Sequence, residues 1–197
     1  MRARGKETRQ AILRAAEVVF AEHGYAGARM DDVAAEVGIK RASMVYYFRD
    51  KASLYRALLQ DLYGELLERH RRVLEEPGSV QDRVMGFLSI WAQHIAERPG
   101  SLRIMMWESA HERRETAEPL AAELAPILQT IGSVVDEGRN AGVFRDIDAM
   151  RFLMIVTGAT AFLTLGLNVL TAQASPLSPT ELHAELRNVV TRLLFLD

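Results

Sequence analysis

The chain has 197 residues, 49% of them hydrophobic and 25% charged, which is enough apolar content for one packed domain or two small ones and argues against intrinsic disorder. It contains no cysteine, which excludes disulfide frameworks, thiolate zinc sites, iron–sulfur clusters and cysteine nucleophiles. The net charge of −2 is unevenly spread: residues 1–51 hold 10 Lys/Arg against 7 Asp/Glu, whereas residues 52–197 hold 14 against 19, so a basic leading segment precedes an acidic remainder. Met1 is followed by Arg2, Arg4 and Lys6 and then by polar Glu7 to Gln10 rather than an apolar run, so no secretory signal is expected and a cytoplasmic location is.

Taken in chain order, the elements are all helical, and the expected class is all-α with about nine helices and no internal repeat. Ile12, Ala15, Ala16, Val19 and Phe20 fall on one face and predict a first helix from about Lys6 to His23, stopping at Gly24. Two short helices follow, Met30 to Val37 and Arg41 to Tyr47, separated by Gly38, Ile39 and Lys40. Asp50 can cap a long helix from Lys51 to Glu75, roughly 38 Å at 1.5 Å per residue, which predicts a connecting element over about 51–76. Beyond Pro77-Gly78, Ser79 and Asp82 resemble a capping pair for a helix carrying Val84, Phe87, Leu88, Trp91 and Ile95. Helices are then expected at Leu102 to Ala110, between Pro119 and Ala141 with Pro126 as its start or a kink, at Asp148 to Ala172, and at Pro179 to Leu196.

The pair of short helices carries the first chemical signal, because a helix-turn-helix unit needs particular residue types at fixed offsets. Ala34 lies four residues before Gly38 and lets the second helix pack close; Gly38 suits a left-handed turn; Met44, six residues after it, points back at the core. With Met44, Tyr47 and Phe48 inward, Lys40, Arg41, Ala42, Ser43, Val45 and Tyr46 are left on the open face, where a recognition helix meets a major groove. Lys40, Arg41 and Lys51 can neutralise phosphates, Ser43 and Tyr46 can donate to phosphates or bases, and Ala42 permits close approach.

The run from Val33 to Leu54, VAAEVGIKRASMVYYFRDKASL, with the helix from Thr8 to Tyr25 before it, resembles the signature of the TetR (tetracycline-repressor-like) family of bacterial transcriptional regulators. The resemblance covers residues 6 to about 60 and implies a homodimeric, ligand-responsive repressor that binds a DNA operator. Three positions depart from the pattern. Ala28-Arg29 stands where Ser or Thr usually caps the second helix, which implies either a weaker N-terminus there or an Arg29 that reaches a phosphate; Lys40-Arg41-Ala42 adds a positive charge where the groove is met; Val45 replaces a common aromatic and shifts the burden of contact to Tyr46.

The remainder of the chain is read as follows. Residues 1–51 form the expected DNA-binding domain and 52–197 the expected ligand-binding and dimerisation domain. One short recognition helix reads few bases, and two-fold pairing sets two of them about 34–36 Å apart, so a homodimer is expected. From Phe152 to Thr180 no residue is charged, and Phe162, Leu163, Leu165, Leu167, Val169 and Leu170 make the segment apolar on most faces; Thr157, Thr160, Thr164 and Asn168 speak for a helix shared with a partner subunit rather than a membrane span. Its expected companion is the last helix, through Leu182, Leu186, Val189, Val190, Leu193 and Leu194. A small hydrophobic effector is expected against Phe87, Trp91, His94, Met105, Met106, Trp107, Ile127, Ile131 and Phe152, with Glu108 and His111 as further polar groups. No cofactor is expected. Glu108 and His111 make one E-x-x-H pair, but a di-iron site needs a second pair and two more glutamates, so no metal is expected; no nucleophile elbow or phosphate-binding glycine loop is present, and the chain is not expected to be an enzyme. The competing reading is a helical dimerisation or membrane-associated interaction protein that does not read DNA.

Overall fold

The computed structural model describes residues 2–110, 114–166 and 177–196. Among them are nine α-helices: α1 (Arg2–Gly27), α2 (Met30–Val37), α3 (Arg41–Tyr47), α4 (Lys51–Glu75), α5 (Val80–Glu97), α6 (Pro99–Ala110), α7 (Arg114–Asn140), α8 (Ala149–Ala161) and α9 (Pro179–Leu194). The fold is all-α, as the periodicity predicts. A π-helical turn, Phe162–Gly166, continues α8; the expected extension through Leu167, Asn168, Val169 and Leu170 to Ala172, and the loop from Gln173, fall on 167–176 and lie outside the described residues. The extended pairing among the described residues is one isolated bridge between Phe144 and Phe195, whose rings stack with centroids 5.3 Å apart. No described helix is long and apolar enough to cross a membrane.

Local chemistry explains where the helices begin. The Ser53 N–H donates to the Asp50 carboxylate at 2.7 Å ahead of α4, and the Asp82 N–H donates to the Ser79 hydroxyl at 3.0 Å ahead of α5. A full capping box, Ser178 with Glu181, followed by Pro179 in the first turn, starts α9. The regular run of the first helix stops at Gly24 as expected, since φ +62° and ψ 174° there are not helical, and a further turn follows, with the Ala28 N–H donating to the Gly24 carbonyl at 3.1 Å. One boundary differs from expectation. The seventh helix continues through Pro126, which therefore does not start it. A proline removes one bond to the carbonyl four residues earlier. Here Ala122 and Pro126 are both exposed, so water can serve that carbonyl.

The chain divides into two compact units, Met1–Glu65 with Arg98–Glu123, and Leu66–Glu97 with Leu124–Asp197. In the first, α1 buries Ile12, Ala16, Val19 and Phe20, and α6 packs along it. The Arg98 guanidinium fastens three elements, donating to Glu17 of α1 at 2.7 Å and to Asp61 of α4 at 2.9 Å, while Gln10 holds the other Asp61 oxygen at 2.8 Å. Glu17 is almost fully buried, so this ion pair replaces the water the carboxylate has lost. Tyr63 donates to the Ser101 carbonyl at 2.9 Å and Tyr55 to Glu108 at 2.7 Å, which ties α4 to α6 along its length.

In the second unit α5 and α9 form the main packed pair, and α9 also meets α8. The Trp91 indole N–H of α5 donates to Thr160 of α8 at 2.9 Å, and the Thr160 hydroxyl donates on to the Val156 carbonyl at 2.7 Å. His70 is buried to 2% exposure and stacks on Phe87, with ring centroids 4.1 Å apart. Burial disfavours its charged form and pushes its pKa from 6.5 down to about 3. Because the folded value lies below the unfolded one, the neutral imidazole's contribution is complete above about pH 6.5 and is lost as the pH falls toward 3. Wild-type protein is therefore expected to lose on the order of 1–2 kcal/mol of unfolding free energy between pH 7 and 5 through this group alone. Urea titrations at the two pH values should show a smaller loss in His70→Leu; an identical loss in the variant would contradict the assignment.

Candidate nucleic-acid interface

The helix-turn-helix geometry is built by α2, Gly38 and α3. Gly38 takes the left-handed conformation, φ 74° and ψ 30°, and the Ile39 N–H donates back to the Ala34 carbonyl at 2.9 Å, closing α2 and sending the chain into α3. A residue with a Cβ at Gly38 would have open space around it but an unfavourable backbone. Ala34 is buried, and Met44, with no exposed surface, is the one buried side chain that α3 itself contributes. Phe48, immediately after α3, is buried beside it, and Tyr47 is half-buried.

Anchoring at Met44 fixes which side of α3 faces outward. Lys40, Arg41, Ala42, Ser43, Val45 and Tyr46 are all exposed. Tyr46 is 87% exposed, an uncommon position for a large aromatic side chain, and its ring meets that of Tyr47 edge-on at 5.3 Å. Arg41 lies 3.7 Å from Asp31, a pair so exposed on both sides that it costs little to exchange for another anion. Arg29 occupies the N-cap of α2 with no side-chain cap bond and is exposed, so the missing Ser or Thr cap is real.

Lys51 is placed differently from expectation. Its ammonium donates to the carbonyls of Tyr25 at 2.8 Å, Ala28 at 3.2 Å and Ala26 at 3.4 Å, and it lies 4.6 Å from the Tyr25 ring centroid. A lysine has three N–H donors, and here they meet carbonyls at and just beyond the C-terminal end of α1. In the free chain Lys51 therefore closes that helix, and its charge is not presented with those of Lys40 and Arg41.

The tetR-family pattern of bacterial regulatory proteins matches residues 12–58, and the tetracyclin repressor-like C-terminal domain matches residues 82–190. The chain belongs to the TetR family of transcriptional regulators. It is 31% identical over 148 residues to the HTH-type transcriptional repressor SCO4008 of Streptomyces coelicolor, covering 74% of this chain and 72% of that one. It is 24% identical to the HTH-type transcriptional repressor NicS of Pseudomonas putida, over 71% of this chain and 66% of NicS. The fold is that of the ketosteroid transcriptional regulator KstR2 of Mycobacterium tuberculosis, with a TM-score of 0.74 and 19% identity over 96% of this chain and 95% of that one. As a TetR-family member it is a DNA-binding regulator of transcription.

The residues expected from the sequence to line an effector site fall in both units. Phe87, Trp91, His94, Ile127, Ile131 and Phe152 are buried in the second unit, where the Phe87 and Phe152 rings lie 6.2 Å apart and those of Trp91 and His94 6.3 Å apart. Met105, Met106 and Trp107 belong to the first unit. There the Trp107 indole donates to the Ala21 carbonyl at 3.2 Å, and its ring lies so close to Gly24 that an added Cβ would meet it at 3.1 Å. Trp107 thus fills the bend in α1. Glu108 accepts from Tyr55, and His111, the other half of the E-x-x-H pair, lies outside the described residues. A surface depression of about 390 Å³ in the second unit is lined by Arg83, Gln129, Thr130, Ser133, Val134 and Glu137 among others. His70 joins the buried aromatic group without having been singled out, and so does Thr160, which the sequence marked only as a polar residue of a partner-shared helix. Both stand at apolar register positions, His70 after Leu62 and Leu66, Thr160 after Phe152 and Val156, and a polar residue in such a register was the available signal.

The Lys51 geometry has a direct consequence. Replacing Lys51 with Met should lower unfolding stability by about 1–3 kcal/mol, since three carbonyls lose a charged donor. Chemical denaturation checks this, and a variant as stable as wild type would show the ammonium to be dispensable there.

Proposed function

We propose that this TetR-family protein is a ligand-responsive, sequence-specific regulator, acting in the cytoplasm as a repressor that leaves an inverted-repeat operator when a small hydrophobic effector binds. The observation that carries the DNA-reading half is the outward edge of α3: Met44 is wholly buried, and the 87% exposed Tyr46 stands with Ser43, Ala42, Arg41 and Lys40 on the side left open. In this reading Arg29, Lys40 and Arg41 engage phosphates, while Ser43, Val45, Tyr46 and Tyr47 meet bases or sugar edges. The operative division is residues 1–51 for DNA and 52–197 for effector and dimerisation.

Two protomers would pair through the last two helices. Met150, Met154 and Phe162 are 52%, 67% and 74% exposed at spacings of four and eight along α8 and its π-helical turn, and Leu193 and Leu196 near the end of the chain are 46% and 47% exposed. Such an apolar stripe is stable in water when a second copy covers it, and two-fold pairing presents two α3 helices to one operator. The effector would sit among the buried rings of the second unit, Phe87, Trp91 and Phe152, with His94 as an orienting polar group. Its effect is a coupling free energy, so effector and operator weaken each other by the same factor. The proposed role is binding without catalysis.

Tyr46→Ala removes no core contact and should leave the thermal midpoint at the wild-type value while lowering affinity for selected operator DNA at least tenfold, about 1.4 kcal/mol. Fluorescence anisotropy titration reads the affinity. Undiminished affinity in Tyr46→Ala would remove this edge of α3 from the interface.

A further inference from the structure

Arg9, on α1, belongs to no sequence motif, yet its guanidinium carbon lies 5.2 Å from the centroid of the Phe48 ring. Phe48 is the residue that ends α3, and its ring is 4% exposed, so it is a fixed platform. The contact holds an exposed arginine at the C-terminal end of the recognition helix. Lys6, three residues earlier on the same face of α1, is exposed as well. The neighbouring Gln10 turns the other way, toward Asp61 of α4.

Among the described residues Lys6 and Arg9 belong, with Arg14, Arg29, Lys40, Arg56 and Arg103, to the exposed basic groups that no carboxylate neutralises, whereas several others are paired. Arg98 is neutralised by Glu17 and Asp61, Arg71 and Arg72 by Glu68, Arg139 by Asp136 and Asp146, and even Arg49, the basic residue after Phe48, by Asp50. Among the described residues neither Lys6 nor Arg9 has a carboxylate within ion-pair distance. Lys40 and Arg41 stand at the N-terminal end of α3, and Arg9 lies against Phe48 just beyond its C-terminal end, so basic groups flank the seven-residue helix at both ends. A helix seated in the major groove has a phosphate strand on either side of it.

We propose that Lys6 and Arg9 form a second phosphate-binding edge, gripping the DNA strand opposite the one met by Lys40 and Arg41, with the Phe48 ring positioning Arg9. This rests on the reading of α3 as the groove-facing helix. The ligand is the phosphodiester backbone, so the edge contributes affinity without sequence preference.

The test uses the full chain and a random-sequence duplex, with anisotropy titrations across a potassium chloride series. Lys6→Gln and Arg9→Gln should each make the slope of log affinity against log salt shallower by about 0.9, and the double variant by about 1.8. Arg9→Lys should keep the slope near wild type, because the charge remains. If Arg9 only completes the α3 terminus and its packing, Arg9→Gln will lower the thermal midpoint and leave the slope unchanged, which overturns the proposal. Lys6, which has no packing role, decides the matter independently of any folding defect: a Lys6→Gln variant with the wild-type slope also overturns it. A wild-type chain with no salt-dependent binding would instead overturn the groove-facing reading of α3 itself.

Discussion

A helix of seven residues cannot stabilise itself, and the orientation of α3 is set by the packing of the first unit around it. An isolated helix that short is far below the length at which helices persist in water. It contributes a single buried side chain, Met44, so its orientation depends on that insertion, on Phe48 just beyond it, and on the left-handed turn at Gly38. The remaining positions are released from packing duty and can be polar, small or aromatic as recognition requires. An edge bearing Lys, Arg, Ala, Ser and an exposed Tyr is what such release looks like in sequence.

The support behind α3 is electrostatic as well as apolar. Arg98 gathers two carboxylates from different helices, and Lys51 closes the end of α1 with three carbonyl contacts. Both tie together segments remote in sequence, and both place a cation where it stabilises the fold. The second unit is organised by ring packing and by a hydrogen-bonded chain from Trp91 through Thr160 to Val156, with neutral His70 stacked within it.

The parts of this account legible in the sequence are those set by short-range spacing. Ala34, Gly38 and Met44 occur at offsets that a helix-turn-helix requires, and Asp50 and Ser79 read as caps because capping is local. What the sequence hid depends on partners far along the chain. Trp107 read as effector lining because Trp beside Met suggests a soft cavity, whereas its partner is the bend at Gly24, more than eighty residues away. Lys51 read as a phosphate contact because it follows the recognition helix, and the free carbonyls that claim it belong to α1. Pro126 read as a boundary, but exposure of Ala122 makes the lost backbone bond tolerable. Arg9 gave no signal, since only folding brings Phe48 beneath it.

The most direct test of the central claim, that two copies of the α3 edge read one symmetric site, is selection of the purified protein on a pool of random duplex DNA at near-physiological salt, followed by sequencing of the retained fraction. The account predicts enrichment of an inverted repeat whose half-site centres lie about one helical turn, 34–36 Å, apart or a multiple of that. Retention with no enriched repeat, by protein shown to be folded and dimeric, would contradict it.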